Sequence, residues 1–144
     1  MTIIDTYKHK NEGYNPFLIT PKWQVAQLNH APEEELEVIE RLDIHYKTDE
    51  VFFLIDGQAV LIAAKINDNT IDYDLQIMQP GITYNIRKNV WHNIAMYPGC
   101  KVLIVEDANT HLPLPDGDYE FHYLSEEQKQ DLQNQVNQLL TDNK

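Results

Sequence analysis

The sequence predicts an all-β fold, a sandwich or barrel, followed by a single C-terminal helix. Three observations lead there. Short apolar stretches alternate with turn signals at roughly ten-residue spacing. No long helical pattern interrupts them, which argues against βαβ units and a parallel sheet. Only near the C-terminus does the apolar period change from that of a strand to that of a helix.

Taken in order, residues 1–14 are polar and mixed and read as an irregular arm. A short strand at 17–20 stops at Pro21, where the ladder loses a donor. Trp23, Val25 and Gln27 then alternate with Gln24, Ala26 and Leu28 in a second strand, and His30 to Glu35 reads as a solvated acidic loop. From Leu36 onward strand follows strand. Residues 36–42 lead into Asp43-Ile44-His45, and Val51 to Ile55 is expected to pair across Asp56-Gly57 with 58–66. Asp-Gly is a strong hairpin signal, because a type I′ turn needs positive φ at both positions. Asn67 to Thr70 is the next turn, and Ile71, Tyr73, Leu75 and Ile77 mark one face of a half-buried strand.

Pro80-Gly81, Arg87-Lys88-Asn89 and Pro98-Gly99 bound three further strands at 82–86, 90–96 and 101–105. Residues 108–118 carry Pro113, Pro115 and Gly117 and read as a crossing loop before a last strand at 119–123. Ser125 and Gln128 form a capping box, and Leu132, Val136, Leu139 and Leu140 make an apolar stripe on a helix spanning about 126–140. Phe52 with Phe53, and Leu54 with Ile55, make one central strand apolar on both faces. A second layer or another subunit is needed to cover its outer side, and a homodimer is expected on that ground.

The length of 144 residues fits one domain, with the barrel core at about 36–107. A formal net charge of -12 argues against nucleic acid, whose phosphates need a basic face, and against an anionic membrane surface. There is no apolar run of bilayer length and no basic-then-apolar leader at Met1-Thr2-Ile3-Ile4-Asp5. The single Cys100 excludes an internal disulfide, and a reducing, cytoplasmic setting is expected.

The chemistry gathers in two stretches. Asp43 and His45 stand two positions apart, so an extended chain turns both to one face, and Glu50 opens the next strand with Phe52 and Leu54 on its side. His92 lies on a later strand with Ile94 and Met96 on its face. Two imidazoles and one carboxylate on one side of a divalent ion leave positions open for substrate or oxygen. Convergence of the two stretches would make a metal site, and without an ion they would line a binding pocket or only a core. His9, His30, His111 and His122 lack a partner at ligand spacing and read as surface or structural. Cys100 reads as a small buried residue, and no serine elbow or phosphate-cradling glycine loop is present.

These stretches resemble the two motifs of the cupin superfamily. The first motif runs histidine, any, histidine, three or four of any, glutamate, six of any, glycine. His45, Glu50 and Gly57 match its later part, and Asp43 holds the place of the first histidine. The second runs glycine, five of any, proline, any, glycine, two of any, histidine, three of any, asparagine. Gly81 and His92 match, while Arg87, Asn89 and Met96 replace the proline, the second glycine and the asparagine. The resemblance implies a cupin double-stranded β-helix, a jelly-roll barrel, of six to eight strands.

It further implies a divalent transition metal (Mn, Fe, Ni or Zn) held by His45, Glu50 and His92. Asp43 would be either a fourth ligand or a partner orienting an imidazole. The expected function is a metal-dependent enzyme acting on a small polar metabolite, such as a sugar derivative or an oxo acid. The alternative is a metal-free module that binds a small molecule, with a purely structural dimerisation domain as a third reading.

Overall fold

Ten strands form two five-stranded antiparallel sheets in the computed structural model, which describes residues 1–144. They are β1 (Gly13–Ile19), β2 (Trp23–Asn29), β3 (Arg41–Ile44), β4 (Glu50–Asp56), β5 (Ala59–Asn67), β6 (Thr70–Ile77), β7 (Thr83–Ile86), β8 (Trp91–Met96), β9 (Lys101–Asp107) and β10 (Glu120–Tyr123). The first sheet has the order β1-β2-β9-β4-β7 and the second β10-β3-β8-β5-β6. A single helix, α1 (Glu126–Asp142), follows, opened by the capping box of Ser125 and Gln128. No helix is long and apolar enough to cross a membrane.

The inner faces of the sheets make the main core. Ala26, Leu28, Phe52, Leu54, Val102 and Ile104 come from one sheet and meet Ala59, Leu61, Ile94 and Met96 from the other. Burying each large apolar side chain there contributes about 1.5–3 kcal/mol. The alternation read from the sequence sets which side chains enter this layer.

A second core lies on the outer face of the β10-β3-β8-β5-β6 sheet. Val60, Ile62, Ala64 and Ala95 are buried there under Leu132 and Val136 of α1, together with Leu36, Ile39 and Leu124. Ile71, Tyr73, Leu75 and Ile77 of β6 pack against the same cluster, so their face looks toward the helix layer and not into the barrel. The chain therefore covers this sheet with its own helix. The other sheet keeps Val51, Phe53, Leu103 and Val105 half-buried on its outer face, with Ile55 exposed.

Three expectations need correction. Residues 36–40 form no strand: a short 3-10 turn at Pro32–Glu34 leads on to Leu36 and Ile39, which plug the second core, and pairing begins at Arg41. The first strand starts earlier, at Gly13, because β2 is long enough to pair with it from Asn29 back to Gln24. Most consequentially, β4 and β5 do not form a hairpin. β4 pairs with β7 and β9, whereas β5 pairs with β6 and β8.

Asp56-Gly57 is thus a crossing between sheets. Gly57 alone of the two has positive φ, at 85°, and accepts support from the Asp56 carboxylate, which takes its N–H at 2.9 Å. A Cβ on Gly57 would lie 2.6 Å from the Cα of Cys100, so only glycine fits where the crossing passes the β8–β9 turn. The hairpin at Asn67 to Thr70 does form, with Asp68 at positive φ.

Candidate metal centre

His92 enters the interior because it shares the buried face of β8 with Ile94 and Met96. Across the ladder its register partner is Asp43 on β3, which places the residue after Ile44 beside it. That residue is His45, at the start of the turn toward β4. Glu50, the first residue of β4, reaches in from the opposite sheet. The two motif halves therefore meet between the sheets: donor atoms of His45, Glu50 and His92 all lie within 4.8 Å of one another, and all three residues are buried.

Both rings are oriented from behind. His45 Nδ1 lies 2.6 Å from the carbonyl of Asp118, and His92 Nδ1 lies 3.0 Å from the carbonyl of Val90. A carbonyl only accepts, so each Nδ1 carries the proton and each Nε2 presents its lone pair inward. The Asp118 carboxylate reinforces the turn by accepting the N–H groups of Tyr46 at 2.9 Å and Lys47 at 2.7 Å. Both Nε2 atoms then converge on one oxygen. Glu50 Oε2 is 3.0 Å from His45 Nε2 and 2.8 Å from His92 Nε2.

An acceptor aimed at an acceptor needs positive charge between them. In the metal-free molecule protons supply it. Burial disfavours charge on His45, yet Glu50 outweighs burial and raises the imidazole to about 9. The same contest raises His92. Burial alone would raise Glu50, but the two imidazoles hold its carboxyl well below the usual range. One divalent cation would replace both protons and suits two neutral imidazoles with a carboxylate, so the donor set fits the implied metal.

Glu106 of β9 is a neighbour the sequence reading did not name. Its Oε2 lies 3.8 Å from His45 Nε2 and has no hydrogen-bond partner, although the residue is only 6% exposed. Its Oε1 is fixed by Tyr14 Oη at 2.9 Å and Gln24 Nε2 at 3.1 Å. Burial, then the charge on Glu50, pushes Glu106 up to about 7. The available signal was alternation: Val102 and Ile104 face inward, so the next residue of that parity does too.

Asp43 stands apart from the three-residue cluster. Its Oδ1 lies 3.4 Å from Arg41 Nε, and the Arg41 guanidinium rests over the rings of Phe121 and Tyr119 and donates to the Tyr119 hydroxyl. Asp43, Arg41, Tyr119, Tyr14 and His111 line a cavity of about 580 Å³ that has the His45, Glu50, His92 and Glu106 side chains in its wall. His111, expected to be structural, bonds Gln24 at 3.1 Å on this wall. Glu33 and Glu34, expected in a solvated loop, line it as well, and burial raises Glu34 to about 7. Trp91 and Tyr84 line a different cavity, beside β5 and β6.

No protein-family model matches the chain, and no curated protein does. Solved structures do. BH2720 from Bacillus halodurans is 15% identical, with 79% of this chain and 80% of that one aligned at a TM-score of 0.50. The capsular polysaccharide assembling protein CapF from Staphylococcus aureus is 17% identical over 81% of this chain and 32% of that one, at 0.51. A cupin-2 domain containing protein from Shewanella frigidimarina is 20% identical over 69% of this chain and 84% of that one, at 0.47. This chain has the cupin fold.

The fold departs from the expected strand count, with ten strands in place of six to eight. The extra ones are placed at the sheet edges. β1 and β10 each end one sheet, and β10 hydrogen-bonds β3 beside the site. The loop preceding β10 delivers Asp118 and Tyr119, so the segment beyond the two motifs supplies the His45 anchor and part of the cavity wall. Asn89, in place of the motif glycine, takes positive φ at 67° and donates its N–H to the His45 carbonyl at 2.7 Å.

Proposed function

We propose that this cupin is a metal-dependent enzyme acting on a small polar metabolite, a sugar derivative or an oxo acid, with a divalent transition ion held by His45, Glu50 and His92. The observation that carries the reading is the convergence of two inward Nε2 lone pairs on one carboxylate oxygen. When bound, such an ion supplies Lewis-acid polarisation of a carbonyl or enediolate oxygen, or oxygen activation where it is redox-active.

The residues of the chain do the rest. Asp118 and Val90 hold the imidazoles in one tautomer, and the two sheets bury the three residues in the cavity wall. Arg41 is the one lysine or arginine lining the cavity, and its planar guanidinium suits a carboxylate or phosphate on the substrate. Asp43, engaged by Arg41, acts as a partner of this wall. A reducing, cytoplasmic setting accords with the single buried thiol of Cys100.

Elemental analysis of protein purified without chelator tests this. About one transition metal per chain is expected, lost in His92→Ala while the variant still melts cooperatively. Metal retained unchanged in that variant would overturn the ligand set. A second reading, a metal-free module binding a small molecule, draws support from the direct contacts of Glu50 with both imidazoles, which protons alone can satisfy. Failure to load metal under any condition selects it.

A further inference from the structure

The metal reading leaves two buried carboxylate oxygens without a hydrogen-bond partner, Asp43 Oδ1 and Glu106 Oε2. Glu106 Oε2 has no hydrogen-bond partner, yet lone acceptors in a protein interior cost free energy unless something answers them. Asp43, in the place of the motif's first histidine, has Arg41 Nε 3.4 Å from its Oδ1 to answer its charge; like Glu106 it lies outside the cluster of His45, Glu50 and His92. Glu106 approaches from the other side, on β9, and its second oxygen is clamped by Tyr14 and Gln24. Gln24 is itself fully buried and fixed, accepting the Asn109 N–H at 2.7 Å. Such a clamp leaves the carboxylate little freedom except to present Oε2 toward His45.

The separation of Glu106 from His45 is that of two donors to one ion, and a small inward movement of the Glu106 carboxylate would bring it to the other two. Nitrogen and oxygen ligands about 2.1 Å from a shared divalent ion stand at most ~4.2 Å apart. The Glu106 Oε2 to His45 Nε2 separation is 3.8 Å, beside 3.0 Å and 2.8 Å for Glu50 Oε2 to the two imidazoles.

We propose that Glu106 supplies the fourth protein donor to the ion, taking over from a different strand the role that the first motif position leaves to Asp43. The inference rests on the His45, Glu50 and His92 reading. It gives the site two imidazoles and two carboxylates, which neutralise a divalent ion and favour ions that accept mixed nitrogen and oxygen donors, such as Mn(II), Fe(II) or Zn(II). Tyr14 and Gln24 become the residues that aim the fourth ligand.

Cobalt(II) titration of the full chain tests it, read by the visible ligand-field band and by affinity. Wild type is expected to bind one Co(II). Glu106→Gln is expected to bind at least ~10-fold more weakly, with a shifted band, because an amide is a poor anionic donor of the same shape. Asp43→Asn is expected to keep the wild-type band and an affinity within about threefold, well short of the loss expected on removing a partner of the site.

Glu106→Asp keeps the charge but withdraws the oxygen by one methylene, and is expected to shift the band as well. It stands in for Glu106→Gln if that variant fails to melt cooperatively. A wild-type band and affinity in the Glu106 variants, with binding lost in His92→Ala, overturns this inference and leaves the three-residue site standing. Loss in Asp43→Asn with none in Glu106→Gln assigns the fourth donor to Asp43 and also overturns it. No binding by wild type removes both readings together.

Discussion

His92 Nε2 stands 2.8 Å from Glu50 Oε2, with the opposite ring nitrogen held by the Val90 carbonyl. Neither side of that contact owns a donor in the neutral state, and His45 repeats the arrangement from the other side. A site so built binds its own ligands badly when empty of positive charge and well when an ion arrives. Ligand that binds only the folded chain stabilises it by about 2.7 kcal/mol at a hundredfold excess over Kd. For a chain of this size that corresponds to a rise in melting temperature of about 5–10 °C. Differential scanning fluorimetry with Mn(II), Ni(II) or Zn(II) should show such a rise in wild type and lose it in His92→Ala.

The metal-free and metal-loaded proteins should respond to pH in opposite senses. His45 is raised from 6.5 to about 9 in the fold, so its contribution is fully present below pH 6.5 and is lost as pH rises through 9. Glu106 and Glu34, each raised from 4.5 to about 7, favour the fold when protonated and lose that contribution as pH rises through 7. Glu50, lowered from 4.5, acts the other way, but only in acid. Metal-free protein is therefore expected to be more stable at pH 5.5 than at pH 9 by chemical denaturation. Metal binding displaces the imidazole protons, so the stabilisation added by metal should grow over the same range. A metal-free stability that climbs between pH 6.5 and 9 would show that the imidazoles are not paired as described.

Asp118 acts at a distance of one side chain from the site. Its carboxylate is the acceptor for the Tyr46 and Lys47 N–H groups, while its backbone carbonyl orients His45. Asp118→Ala removes the acceptor of two N–H groups in a turn whose side chains, Tyr46 and Lys47, are exposed, at a cost of about 1–2 kcal/mol. Because the same turn aims His45, metal affinity should fall about 10- to 100-fold. Isothermal titration alongside urea unfolding separates the two effects. Stability lost without loss of affinity would mean the turn holds the fold but not the imidazole.

The site was legible where its parts are local. His45, Glu50, Gly57, Gly81 and His92 stand at fixed spacings that a chain can show without being folded. What lay beyond was long-range. Asp118 meets His45 across 73 positions, and no pattern near either residue announces it. Glu106 hid at the end of an apolar strand, where an inward acid and a solvated terminal acid look alike until the alternation is followed to its end. Asp56-Gly57 reads as a hairpin in sequence because a tight turn shows that the chain bends but not which sheet receives it. The capping box and apolar stripe announce α1 but not its target: it covers β5, whereas the apolar outer face of β4 stays half-open.

That open face leads to the last expectation. Val25, Val105 and Val51 stand in register across β2, β9 and β4, and Leu103 pairs with Phe53 in the next row. All five are half-buried, on the side of the sheet away from the cavity. We infer that two copies of the chain pair through this apolar sheet face, since burying such a face against its own copy removes it from water. Phe53→Glu places a charge at its centre without touching the interior, where Phe52 points the other way. Light scattering after size exclusion should give a dimer for wild type and a monomer for Phe53→Glu, with metal content per chain unchanged. A monomeric wild type, or a variant that stays dimeric, would move the contact to another face or remove it.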